Sequence, residues 1–141
     1  MNRRVYIAGP IANGHTANPR TVYKNVRNAE RFYEELIKAG WTPILPHLSY
    51  HAWVNFENDV HWPRWIELDL DLLDIVCAIV RIPGESIGAD MEIQYAEEKN
   101  IHVIKCITPK DAVKQLEEKF GKPQSRPELQ KYLDIITGAK Y

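Results

Sequence analysis

Ile75-Val76-Cys77-Ala78-Ile79-Val80 is an unbroken apolar run, with Asp74 before it and Arg81 after it. A strand with one wet face alternates apolar and polar residues. A strand covered on both faces has no reason to, so this run predicts a central parallel strand. Pro83-Gly84 ends it. Downstream, a helix is expected from about Gly88 to Lys99, a strand over Ile101–Ile107 and a helix over Asp111–Phe120. Beyond Gly121 the chain carries Pro123 and Pro127, then a last helix over Glu128–Ile136.

Upstream, Arg4-Val5-Tyr6-Ile7-Ala8 is short, β-branched and aromatic, and Gly9-Pro10 stops it; it reads as the first strand. From Pro19 to Lys38 apolar residues fall at Val22, Val26, Ala29, Tyr33 and Leu36, one face of a helix. Pro19 suits its first turn and Gly40 its C-terminal cap. Trp41–Leu45 reads as a second strand, stopped by Pro46. Residues 47–62 are irregular and rich in His and aromatics, and loops of this length in a compact domain are usually functional. Pro63 opens a helix to about Leu73. Strands alternating with helices imply an α/β fold, a Rossmann-like doubly wound parallel sheet of four to five strands flanked by helices. The expectation is a single domain over 1–141, with a core at about 4–120 and a tail at 121–141.

The 141 residues are 45% hydrophobic and 26% charged, with a formal net charge of −1. That balance supplies no basic footprint for nucleic acid. No run reaches the roughly 18 apolar residues of a membrane span. No signal-like apolar segment precedes the first strand, so a cytoplasmic protein is expected. Cys77 and Cys106 sit in apolar runs and read as buried thiols.

Ligands of doubly wound sheets bind outside the carboxyl ends of the strands. That rule selects Ala8–Gly14, the 46–62 loop and Pro83–Glu92. The last is densest: Gly84-Glu85-Ser86-Ile87-Gly88-Ala89-Asp90-Met91-Glu92. Its glycines and serine can offer N–H groups and a hydroxyl to an anion at a helix start, or Ser86 or Gly88 can simply cap the helix. The spacing is neither a dinucleotide fingerprint nor a Walker loop, which argues against a dehydrogenase or kinase. Glu92, about one turn into the helix, can serve as nucleophile or general base. His47, His51 and His61 raise zinc, but Pro46 argues against the helix that a His-x3-His pair needs, and no Cys lies nearby; no metal and no cofactor are expected. Trp53, Phe56, Trp62 and Trp65 are either packing or an aromatic lid for a flat ring.

Val5-Tyr6-Ile7-Ala8-Gly9-Pro10-Ile11, then Asp69, then Ser86-x-Gly88-x3-Glu92 with Tyr95-Ala96 form one pattern. Over about residues 4–107 it resembles the nucleoside 2-deoxyribosyltransferase superfamily, nearest its 2′-deoxynucleoside 5′-phosphate N-hydrolase branch. The resemblance implies the same fold, Glu92 as the nucleophile at the anomeric carbon, Tyr6 orienting it and Asp69 assisting the sugar and leaving base. An aspartate that this family often has at the start of the third strand falls here at Asp74 or Cys77. Ser86, six before Glu92, is where the resemblance implies a 5′-phosphate contact in the hydrolases; the transferases commonly have aspartate there. Gly9, Pro10, Ile11, Gly14, Gly88, His47, Trp53 and Trp62 complete the expected substrate site. The function expected is hydrolysis of the N-glycosidic bond of a (deoxy)nucleoside 5′-monophosphate. The alternatives are base exchange by a deoxyribosyltransferase and a non-catalytic nucleotide-binding module. The partner is a small nucleotide or nucleoside, neither nucleic acid nor membrane, and the resemblance implies a homodimer or higher homo-oligomer.

Overall fold

The computed structural model describes residues 1–11, 19–49 and 62–138. Strands β1 (Arg4–Ala8), β2 (Thr42–Ile44), β3 (Ala78–Arg81) and β4 (His102–Lys105) form one sheet in the order β2-β1-β3-β4. All three pairings are parallel. Helices α1 (Pro19–Lys38), α2 (Trp62–Leu73), α3 (Ile87–Glu98), α4 (Pro109–Phe120) and α5 (Leu129–Ile136) flank it, with a 3-10 turn over Pro46–Ser49.

The period-two alternation of strands assigns the helices to faces. Val5, Ile7, Ala78, Val80 and Ile104 pack with Ala29, Phe32 and Leu36 of α1 and with Ala112 and Leu116 of α4. Tyr6, Ala8 and Ile79 pack on the other side with Leu73 of α2 and with Ala89, Ile93 and Ala96 of α3. The sheet is therefore doubly wound. Chain order leaves β1 toward β2 and later continues outward from β3, so strand order reverses between β1 and β3. Their carboxyl ends, Ala8 and Arg81, are register partners.

Several boundaries differ from the sequence expectation. The central strand begins at Ala78, not Ile75. Helix α2 continues through its terminal turn: the amides of Asp74, Ile75 and Val76 donate to the carbonyls of Leu70, Leu72 and Leu73. Ile75 is half exposed, and Cys77 makes the first bond to the sheet, to the Arg4 carbonyl. The run is apolar because its residues serve a helix end and a strand in succession. The second strand shrinks to three residues at the sheet edge, where Pro43 is tolerated because one side needs no donor. Helix α4 starts at Pro109, with Thr108 capping the Asp111 amide. In α1, Phe32 is buried and Tyr33 only partly so. No residue of α5 is buried.

Candidate functional site

The crevice at the strand-order reversal is where ligands of such sheets bind, and polar side chains from several elements meet there. Tyr6 is fully buried near the end of β1, and its hydroxyl donates to Oε2 of Glu92 on α3. Glu92 is 8% exposed, the one buried carboxylate among the described residues. Asp69, half-buried on α2, acts on the same Tyr6 hydroxyl. Three of the sequence-expected residues, separated along the chain by up to 86 positions, thus form one cluster.

Its electrostatics follow from burial. Loss of hydration pushes the Glu92 carboxyl up to about 8; the Tyr6 hydrogen bond opposes this, the Asp69 charge adds to it, and the Arg81 charge opposes it. Burial likewise raises Asp69 to about 6, against the Tyr6 hydrogen bond. Tyr6 is held far above the usual tyrosine range by burial first and then by the two carboxylates, so it stays a neutral donor. Two carboxyls of raised proton affinity, one buried and one half-buried, meeting at a shared tyrosine hydroxyl could exchange protons with a bound ligand.

The walls are built by close backbone approach. A Cβ on Gly9 would lie 2.3 Å from Cγ1 of Ile82, so only glycine fits between the ends of β1 and β3. Gly84 has φ +118, and a Cβ there would lie 2.6 Å from Cγ of Pro10. The Pro10 carbonyl accepts from Nε2 of His47 at 3.1 Å, and the Ile11 carbonyl accepts from Nδ2 of Asn25 at 2.9 Å. His47 is buried, and burial lowers it to about 4 despite that carbonyl. It is a neutral pin between the ends of β1 and β2.

Ser86 is the N-cap of α3: its Oγ accepts from the Ala89 amide at 3.0 Å. Its hydroxyl proton is still available to donate. Gly88 faces open space, for a Cβ there would meet only Ser86 Oγ, at 4.0 Å. Gly14 and Trp53 lie outside the described residues, as do His51, Phe56 and His61; Trp62 is described only as the first residue of α2. Trp65 is half-buried. Asp74 lies past the end of α2 and accepts from the Tyr95 hydroxyl, tying α2 to α3 outside the cluster. Among the described residues, no group of three or more His, Cys, Asp or Glu is placed to hold a metal, and no helix is long and apolar enough to cross a membrane.

Arg81 is the residue that sequence reasoning missed. Its guanidinium donates to the Gly84 carbonyl at 2.7 Å, to the Ile82 carbonyl, and to Asp90 Oδ1 at 3.1 and 3.3 Å. The available signal was a cation at the carboxyl end of a buried strand, the edge at which sheets of this kind bind ligands.

A family model described as "Domain of unknown function (DUF7768)" matches residues 3–106. The chain belongs to that family. The DUF7768 match takes in all four strands and every member of the Tyr6–Asp69–Glu92 cluster, together with Arg81 and Ser86, and ends before α4 and α5. No curated protein matches the chain.

Proposed function

We propose that the chain is an N-glycosidase that hydrolyses a (deoxy)nucleoside 5′-monophosphate. The observation that carries this reading is the buried Glu92 carboxyl bonded to the Tyr6 hydroxyl beside Asp69. A glycosidic transition state resembles an oxocarbenium ion, and a carboxylate close to C1′ stabilises that charge and then bonds to it.

In the first step an oxygen of ionised Glu92 bonds to C1′ as the C1′–N bond breaks. The electron pair leaves on the base, which takes a proton from Asp69. In the second step water attacks C1′, the ester bond to Glu92 breaks, and the water's proton returns to Asp69. The products are free base and (deoxy)ribose 5-phosphate. Tyr6 keeps its proton throughout and orients the carboxylate. Between about 6 and about 8 the two carboxyls hold one proton between them, and the reactive form carries it on Asp69 and the charge on Glu92, the form that the Arg81 charge favours.

The 5′-phosphate fits the start of α3. Backbone amides and the helix dipole favour an anion there, the Ser86 hydroxyl has a proton to give, and Gly88 leaves room for close approach. The test is to incubate the protein with a panel of nucleoside monophosphates and nucleosides and to measure free base, with and without an acceptor base. Release from monophosphates, its loss in Glu92→Gln, and a glycosyl adduct mapped to Glu92 by mass spectrometry are expected. Base exchange exceeding hydrolysis would make the site a transferase. Ligand binding without any turnover would make it a binding module.

A further inference from the structure

Arg81 has no part in the bond-making just described, yet its side chain joins the end of β3 to the helix that carries Glu92. The side chain is 12% exposed, so holding a cation there costs hydration that its partners must offset. Those partners are the carbonyls of Ile82 and Gly84 and the carboxylate of Asp90. Ile82 is the residue against which Gly9 is packed, and Gly84 abuts Pro10. Asp90 lies in the first turn of α3, two residues before Glu92. A guanidinium suits this task, because its rigid fork of donors can bond a turn and a carboxylate at once. The Arg81–Asp90 pair is not explained by stability alone: Asp90 is 71% exposed, and such pairs contribute little.

We propose that Arg81 is a positioning residue for Glu92: it clasps the Ile82–Gly84 turn to the first turn of α3 at Asp90, two residues ahead of Glu92. The kinetic consequence rests on the glycosidase reading; the positioning does not. The groups acting on Glu92 are Tyr6 from β1, Asp69 from α2 and Arg81 from β3, with Asp90 on its own helix acting through Arg81. Arg81 is the cation among them, and it favours the ionised form of Glu92.

The experiment follows the Glu92 side-chain carboxyl by NMR titration of carbon-labelled protein, its signal assigned by its disappearance in Glu92→Gln. Arg81→Gln is expected to move the Glu92 midpoint up by about one unit, since one nearby opposite charge is worth that much. Asp90→Asn, on an exposed side chain, leaves Arg81 less neutralised and is expected to move it down. Arg81→Lys keeps the charge but loses the fork. It is expected to leave the midpoint near wild type while lowering kcat on a nucleoside monophosphate about tenfold, the scale of one lost positioning hydrogen bond to a charged group. An unmoved midpoint in both Arg81→Gln and Asp90→Asn would overturn the proposal, and so would full turnover in Arg81→Lys. If Arg81→Gln does not fold, a midpoint unmoved in Asp90→Asn overturns it. If the wild type releases no base from any nucleotide, the glycosidase reading fails, and the titration alone still decides the role of Arg81.

Discussion

Glu92→Gln is expected to make the protein more stable while abolishing turnover, and the gain is expected to depend on pH. Glutamine keeps the shape of the side chain and an oxygen to accept from Tyr6, but it cannot ionise. In the folded protein burial raises Glu92 from the ordinary 4.5 to about 8. The sign follows: between those values the folded state holds a proton that the unfolded state has released, so wild-type stability falls as pH rises from 4.5 to about 8. The variant lacks this loss. At about 1.4 kcal/mol per unit, the variant's advantage is near zero at pH 4.5, about 3 kcal/mol at pH 7 and on the order of 5 kcal/mol above pH 8. For a chain of this size, 3 kcal/mol is on the order of 10 °C in Tm. Urea unfolding followed by tryptophan fluorescence at pH 5, 7 and 8.5 reads the difference, provided the two proteins share one m value. A pH-independent difference, or a variant less stable than wild type at pH 7, would refute the assignment of Glu92 as a buried acid held at a cost for chemistry.

The pH profile of kcat/KM on a nucleoside monophosphate should be bell-shaped and centred near neutrality, with limbs at about 6 and about 8 that belong to the Asp69–Glu92 pair; a flat profile between pH 5 and 9 would count against the paired carboxyls. Ser86→Ala should cost about ten- to a hundredfold on monophosphates and little on nucleosides, because it removes one hydrogen bond to a charged group; equal losses would leave Ser86 as the cap seen at the Ala89 amide and nothing more. Gly9→Ala forces a methyl into Ile82 and should destabilise the fold by about 1–3 kcal/mol in urea unfolding. The exposed Leu129, Tyr132, Leu133 and Ile136 of α5 fit a homodimer, and light scattering that finds only a 16.4 kDa species would refute it.

The pattern of apolar residues determined much of this protein by itself. Continuous runs at β1 and β3 specified strands covered on both faces, and the 3.6-residue spacing from Pro19 to Lys38 specified α1, because burial of apolar surface is read locally from period and length. The same local logic offered Ser86 or Gly88 as the cap of the next helix, and the folded chain uses Ser86, whose hydroxyl oxygen meets the Ala89 amide. It did not reveal where the run Ile75–Val80 changes from helix end to strand, since both environments take the same residues. Only the tertiary structure decided which polar residues meet. Tyr6 and Ile79 look alike in the strand pattern, and both are fully buried, yet one of them meets Glu92 from 86 positions away. Glu92 on a helix is ordinary in sequence; its burial, its raised proton affinity and its link to Arg81 arise because β1, β3, α2 and α3 converge at one end of the sheet. Hydrophobic burial is non-directional and additive, so it leaves a trace in composition and period. A hydrogen bond or a charge pair acts over a few ångströms between atoms that only the folded chain brings together, and periodicity carries no record of it.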